Sequence, residues 1–317
     1  YMKNFEGFTF VALLKACTKR KDAHKGIRLH DEILRRGLLD RKNPYVASTL
    51  INMYSKCGML EKAKYVLGKL PVRDTVSWNA LMSGYAHHKQ FHEVLECFDC
   101  MQKECLSPDV VSFICILKAC GSTRNIEKGK QIHDVVVNSG LLEKHVELGN
   151  VLVDMYAKCG MLEKAKQVLE ELHIRNVVSW SSLIGGYVQQ GQGEEALSCF
   201  ERMQSEGCPP DAITFSSILK ACAITAAICK GSIIHEKIVS RGLLEKDVVL
   251  GTSLVDMYAK CGMLVKAKQV LEELLVRDVS SWNALVAGYV QHGQIYKALI
   301  CFEMMESEGV CPNTVTF

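Results

Sequence analysis

Two clusters in the sequence carry residue types able to do metal chemistry. His30-Asp31-Glu32 has the His-x-Glu spacing, and Cys97-Phe98-Asp99-Cys100 the Cys-x-x-Cys spacing, of a zinc nucleobase deaminase, in which bound zinc activates a water and the glutamate moves its proton. Their surroundings oppose that reading. Glu96, not proline, precedes the cysteines, and His133 and His235 stand at the places equivalent to His30 without a glutamate two residues on. Cys97 recurs as Cys199 and Cys301 without a second cysteine, and a lone Cys-x-x-Cys with no second pair does not make a structural zinc site. The chain also lacks a glycine-rich phosphate loop, a Gly-x-Ser-x-Gly elbow and a His-Glu-x-x-His helix. The expectation is a chain that is not an enzyme, with no catalytic residue, no metal ligand and no cofactor.

The elements that hold these residues explain why the clusters are accidental. Of 317 residues, 48% are hydrophobic and 23% charged, so the chain should fold. An odd number of thiols, 15, does not suit a disulfide framework, and most recur at a fixed interval: Cys57, Cys159 and Cys261; Cys97, Cys199 and Cys301; Cys120 and Cys222, with Cys17 at the matching place earlier on. Their expected role is that of small buried hydrophobes. No signal peptide or apolar run of bilayer length is found, and a start at Tyr1 is expected of a piece of a longer protein.

Trp78, Trp180 and Trp282 stand 102 residues apart, as do MYSKCGMLEKAK at Met53, MYAKCGMLEKAK at Met155 and MYAKCGMLVKAK at Met257. The chain is therefore three copies of one block, each of three related units. Residues 7–43, 44–74 and 75–109 form the first triplet, 110–145, 146–176 and 177–211 the second, and 212–247, 248–278 and 279–313 the third, with 1–6 the tail of a preceding unit and 314–317 the start of another. Each unit reads as two helices. Leu50, Met53, Tyr54 and Cys57 fall at helical spacing, Gly58 stops that helix, and Leu60, Ala63, Leu67 and Leu70 make the next stripe. Trp78, Leu81 and Tyr85, then Val94, Phe98 and Met101, repeat the pattern. Helix pairs of this kind cannot bury their apolar faces alone, so neighbours stack.

A 35-residue unit reading SWNAL followed by CF and MQ, alternating with LKAC units and MYAKCGMLEKAKQVLEEL units, resembles the pentatricopeptide repeat (PPR) family, in its plant subclass with long, short and standard motifs in triplets. The resemblance implies an all-α fold, a right-handed α-solenoid superhelix of about nine helix-turn-helix repeats. It also implies single-stranded RNA as partner, one base per repeat, in a plastid or mitochondrion, usually to direct C-to-U editing. In relatives that edit, the chemistry belongs to a C-terminal deaminase domain.

In that family the fifth residue of a repeat and its last residue together read the base. Carried over, these are Ser48 with Asp74, Asn79 with Asp109, Asn150 with Asn176, Ser181 with Asp211, Thr252 with Asp278, and Asn283 with Asn313. The long units, which follow the code poorly, carry Val11 with Asn43, Ile114 with His145, and Ser216 with Asp247. A terminal Asp accepts only and so demands the N–H of G or U, a terminal Asn can donate to C or A, and a short fifth residue leaves room for a purine where Asn favours a pyrimidine. The expected site is 5′-NGUNYGNGY-3′. Ser, Thr, Asn and Asp at these places also suit helix caps, a role compatible with base reading.

The family clamps each base between second-position apolar residues, here Val76, Val111, Val178, Ile213 and Val249, while Glu147 and Ser280 depart from the pattern. Core packing accounts for the apolar ones equally well at this stage. Lys56, Lys158 and Lys260 stand eight residues beyond the fifth position and are candidates for phosphate contacts or for cations at a helix end. A net charge of +3 is too small for indiscriminate nucleic-acid binding; no DNA or membrane partner is expected. The competing reading is a protein-binding solenoid whose long units, with apolar Val11 and Ile114, dock a peptide or the small organellar editing cofactors that this subclass binds.

Overall fold

The computed structural model describes residues 2–39, 44–245 and 247–316, with 2–6 and 44 described by their backbone alone. These residues form helices and turns with no strand. The chain divides into two compact units, Tyr1–Cys159 and Gly160–Phe317, each described by itself. The first holds α1 (Met2–Arg20), α2 (Ala23–Arg35), α3 (Pro44–Lys56), α4 (Leu60–Lys69), α5 (Thr75–His87), α6 (Phe91–Lys103), α7 (Val110–Thr123), α8 (Ile126–Asn138) and α9 (Val146–Lys158). The second holds α10 (Leu162–Glu171), α11 (Val177–Gln189), α12 (Gly193–Ser205), α13 (Ala212–Thr225), α14 (Ile228–Ser240), α15 (Val248–Lys260), α16 (Leu264–Glu273), α17 (Val279–Gln291) and α18 (Ile295–Ser307).

Packing follows one rule within each unit. Odd-numbered helices lie side by side, α1 on α3 on α5 on α7 on α9, and α11 on α13 on α15 on α17. The even-numbered helices other than α10 and α18 each sit between two of them: α6 touches α5 and α7, and α12 touches α11 and α13. This is the all-α solenoid of stacked helix pairs that the sequence pattern expects. The stripes become its core, since Leu50, Met53, Tyr54, Leu60, Ala63, Leu67, Leu81, Tyr85, Val94, Phe98 and Met101 are all buried. Gly58 ends α3 in the left-handed region at φ 77°, and Met59 N–H then bonds the Tyr54 carbonyl at 2.9 Å; Gly262 and Met263 repeat this after α15.

Neighbouring odd-numbered helices approach closely. A Cβ on Gly84 of α5 would lie 2.4 Å from the Ser55 Cβ of α3, and one on Gly288 of α17 would lie 2.5 Å from the Ala259 Cβ of α15. Just beyond, the His88 ring bonds the Ser55 carbonyl through Nε2 at 2.9 Å, and His292 does the same to Ala259 at 3.1 Å, satisfying the last turn of the preceding helix. Long and short units are joined by a second repeated contact: Nδ1 of His30, His133 and His235 pairs with the hydroxyl of Tyr54, Tyr156 and Tyr258 at 2.9, 2.8 and 3.1 Å. Burial pushes the Tyr54 and Tyr156 hydroxyls up to about 12, so both stay protonated. Burial also lowers His30 and His235, outweighing the opposing pull of Asp31 on the first and of Glu273 and Glu236 on the second.

Two outcomes follow from these contacts. Gly84→Ala and Gly288→Ala should each destabilise the fold by about 1–3 kcal/mol, because backbone neighbours must separate, whereas Gly68→Ala, whose Cβ meets nothing within 4 Å, should be neutral or gain up to about 1 kcal/mol; thermal melts of the three variants check this. Because His30 and His235 are held neutral in the fold, the unfolded chain takes up protons first as pH falls below the ordinary histidine value of about 6.5. Stability is therefore complete above that value and declines as pH drops toward the lowered folded value, so the melting temperature should fall by a few degrees between pH 7.5 and pH 5.5. A His30→Asn/His235→Asn variant should show a flatter profile.

Candidate nucleic-acid interface

The leading edge of the odd-numbered helices is built from their caps. Asp74 accepts from Ser77 N–H at 2.8 Å at the start of α5, Asp109 from Ser112 N–H at 3.0 Å at α7, and Asp211 from Thr214 N–H at 2.8 Å at α13. Asn176 accepts from Val178 and Ser179 at α11, Asp247 from Val249 and Leu250 at α15, and Asp278 from Ser281 at α17. Each such cap stabilises its helix by about 1 kcal/mol. His145, at the start of α9, makes no side-chain cap. Asn43 lies outside the described residues.

Because the helices pack side by side in the same direction, the fifth residue of one stands beside the cap of the next. Asn79 Nδ2 donates to Asp109 Oδ1 at 2.8 Å, and Ser112 Oγ donates to Asn79 Oδ1 at 2.7 Å. Asn283 makes the same pair with Asn313 at 3.1 Å and Thr316 at 2.8 Å. Ser181 bonds Thr214 Oγ1 at 2.6 Å, which in turn donates to Asp211 Oδ1 at 2.7 Å. Ser216 pairs with Ser253 at 2.7 Å. Ser48 and Thr252 instead turn back onto their own helices, donating to the Tyr45 carbonyl at 3.3 Å and the Val248 carbonyl at 3.1 Å. Val11 and Ile114 are half-buried apolar side chains at the same level. Asn150 belongs to the first unit, with a buried Oδ1 that takes no hydrogen bond, and Asn176 to the second.

Capping fixes which atom of the last residue is left over. At Asp74, Asp109, Asp211, Asp247 and Asp278 every cap bond goes to Oδ1, so what faces outward is a second carboxylate oxygen, an acceptor. At Asn176 and Asn313 the backbone donors again take Oδ1, at 2.9 Å from Val178 N and 3.0 Å from Val315 N, so the remaining Nδ2 is a donor. Exchanging Asp for Asn thus reverses the hydrogen-bond polarity of the edge without disturbing the cap.

The second-position residues lie outside the core. Val76, Val111, Val178, Ile213 and Val249 are exposed by 45–69%, so core packing does not account for them. Glu147 and Ser280 are exposed at the same register. Three further apolar residues occupy it: Phe8 at 71%, Tyr45 at 70% and Val315 at 76% exposed. The signal that finds them is the register alone, one residue past the start of each unit. Within each unit, exposed apolar side chains at this register, on every odd-numbered helix except α9 and α17, stand three residues before the fifth residue and give the edge stacking surfaces beside hydrogen-bonding groups.

The other candidates are placed differently. Lys158 is held by Asp154 at 2.6 Å and Lys260 by Asp256 at 2.8 Å, one turn back on their own helices, and all three lysines including Lys56 close the last turn, about 12 Å along the axis from the fifth residue. His30 is engaged by Tyr54, and burial pushes the Cys97 thiol up to about 12, which leaves it protonated and inert as a ligand. Among the described residues no three His, Cys, Asp or Glu side chains are grouped to hold a metal ion, and no helix is long and apolar enough to cross a membrane.

Profiles of the PPR repeat family match residues 73–122, 175–224 and 277–317, and those of the PPR repeat match 8–38, 45–74, 150–177 and 252–279. A mitochondrial pentatricopeptide repeat-containing protein of Arabidopsis thaliana is 39% identical over 292 residues, 92% of this chain and 28% of its own length. A second mitochondrial one is 34% identical over 98% of this chain and 55% of its own length, and a chloroplastic one 37% identical over 97% and 37%. The chain thus spans little more than half, or less, of the relatives it matches. Among solved structures, the pentatricopeptide repeat protein PPR10 in complex with an 18-nt psaJ RNA element superposes with a TM-score of 0.77 at 19% identity, over 93% of this chain and 44% of PPR10, which is a likeness of fold. Repeat profiles along most of the chain, relatives matching nearly all of it and the stacked helix pairs agree that the chain belongs to the pentatricopeptide repeat family.

Proposed function

We propose that this chain is a sequence-specific, single-stranded RNA-binding array that takes one base per repeat at the leading edge of its odd-numbered helices. The observation that carries the proposal is the leftover atom of the cap: Asp109 and Asp211 offer an acceptor and Asn313 a donor beside the fifth residues Asn79, Ser181 and Asn283, near exposed apolar side chains that could stack a base. The repeats are 7–43, 44–74, 75–109, 110–145, 146–176, 177–211, 212–247, 248–278 and 279–313, in the long, short and standard order of the plant triplet subclass. Read from the RNA 5′ end, Ser48/Asp74 takes G, Asn79/Asp109 takes U, Asn150/Asn176 a pyrimidine with C preferred, Ser181/Asp211 G, Thr252/Asp278 G and Asn283/Asn313 a pyrimidine.

The relatives' names support a plastid or mitochondrial setting, and the triplet pattern supports target recognition for C-to-U editing, with editing cofactor proteins docking on the long units. Lys56 is the cation best disposed to a phosphate, since Lys158 and Lys260 must first leave their carboxylates. Fluorescence anisotropy against an RNA carrying GUNYGNGY should give affinity at least about tenfold higher than against a copy with U and G replaced by C and A, with a modest salt slope. Asp109→Asn should move the preference at the third base from U to C. Equal affinity for both RNAs would refute the assignment.

A further inference from the structure

The three copies differ at one place on the opposite side of α5 from the base-reading pair. In the second copy the Arg202 guanidinium lies 5.6 Å over the Trp180 ring, donates to Glu170 at 2.8 Å and to Glu206 at 3.2 Å, and closes the groove between α10, α11 and α12. Trp180 is 1% exposed. In the first copy the equivalent residues are Cys100 for Arg202 and Gly68 for Glu170, so both halves of that lid are gone. What they leave is a cavity of about 240 Å³ between α4, α5 and α6, and Trp78 is 7% exposed. The third copy keeps Glu272 and has Met304 in place of the arginine, and its Trp282 is 2% exposed.

The cavity has a defined chemistry. Its floor is Leu67, Trp78 and Tyr85, its rim Glu93 and Glu96, with Lys64 and Arg73 at the margin. Arg73 is committed to Glu104 at 2.6 Å, and Glu104 also accepts the Trp78 indole N–H at 2.9 Å. Glu96 stands where the second copy has Ser198, so the first copy has lost the arginine while the Glu96 carboxylate replaces the one lost at Gly68. At about 240 Å³ it is smaller than the roughly 300–1,000 Å³ that drug-sized ligands occupy, and suits a single long side chain. An indole lining a cavity together with two carboxylates suits a planar, weakly hydrated cation over a compact ammonium.

We propose that this cavity is a receptor for one arginine side chain presented by a partner protein, its guanidinium stacked on Trp78 between Glu93 and Glu96 as Arg202 is on Trp180. The proposal does not rest on RNA reading, since Trp78 faces α4 and α6 whereas Asn79 faces α7.

The test uses a dye-labelled peptide of glycines around one central arginine, with lysine and citrulline versions, and follows two readouts on the whole chain. Alkylation of exposed Cys100, quantified by mass spectrometry against exposed Cys229, should slow by about threefold or more with the arginine peptide and not with the others. In anisotropy, Gly68→Glu with Cys100→Arg, which rebuilds the second copy's lid in space that is open at Gly68, should cut peptide binding by about tenfold with an unchanged or higher melting temperature. Lysine or citrulline peptides binding as well as arginine, or full binding by the lid variant, would overturn the proposal. So would protection of Cys100 by a single-stranded RNA in place of the peptide, which would give the cavity to nucleic acid.

Discussion

The side-by-side packing of the odd-numbered helices, start beside start, is the constraint on which the rest of the structure depends. Gly84 and Gly288 permit it between α3 and α5 and between α15 and α17, by bringing helices within a distance that no Cβ would allow, and the same side-by-side order sets the caps at Asp109 and Asp211 beside Asn79 and Ser181. Were these helices to slip by one turn, the cap of each would meet an apolar position of its neighbour and the hydrogen-bonded pair would be lost. The even-numbered helices have a simpler part, filling the groove behind each pair and excluding water from the stripes.

A cap residue in such an arrangement serves two partners with different atoms. Oδ1 belongs to the helix, because an unsatisfied first-turn N–H is costly, and that obligation orients the side chain. The atom left over is then presented at a fixed place whose polarity depends only on whether the residue is Asp or Asn. In the proposed reading, helix capping and base selection reinforce each other, since the helix supplies the rigidity that a single exposed carboxylate would lack.

The repeat made the fold legible, because Trp78, Trp180 and Trp282 recur at one interval and the stripes around them have one helical period. The polar pairs came from the family resemblance, and the structure joins Asn79 to Asp109 and Asn283 to Asn313 but turns Ser48 and Thr252 back onto their own helices. Exposure of Val76, Val178 and Ile213 was not legible, since a valine in a helix is more often core and sequence carries no record of which flank a neighbour leaves open. Phe8, Tyr45 and Val315 escaped because only register, not residue type, marks them. The cavity beneath Trp78 was hidden for the opposite reason: Gly68 and Cys100 are departures from the repeat, and a reading built on what recurs passes over what one copy lacks. The metal-like clusters illustrate the converse, with His30 and Cys97 absorbed by packing against Tyr54 and the core.

The central claim is that the pairs read bases in chain order, one per repeat. Selecting RNA from a fully randomised pool on the purified chain and sequencing the bound fraction tests it without assuming any target. The account predicts a consensus with G at the second, sixth and eighth places, U at the third and pyrimidines at the fifth and ninth, in the 5′ to 3′ direction. A pool that stays random, or a consensus whose G spacing does not match the spacing of Ser48, Ser181 and Thr252 along the array, would contradict it.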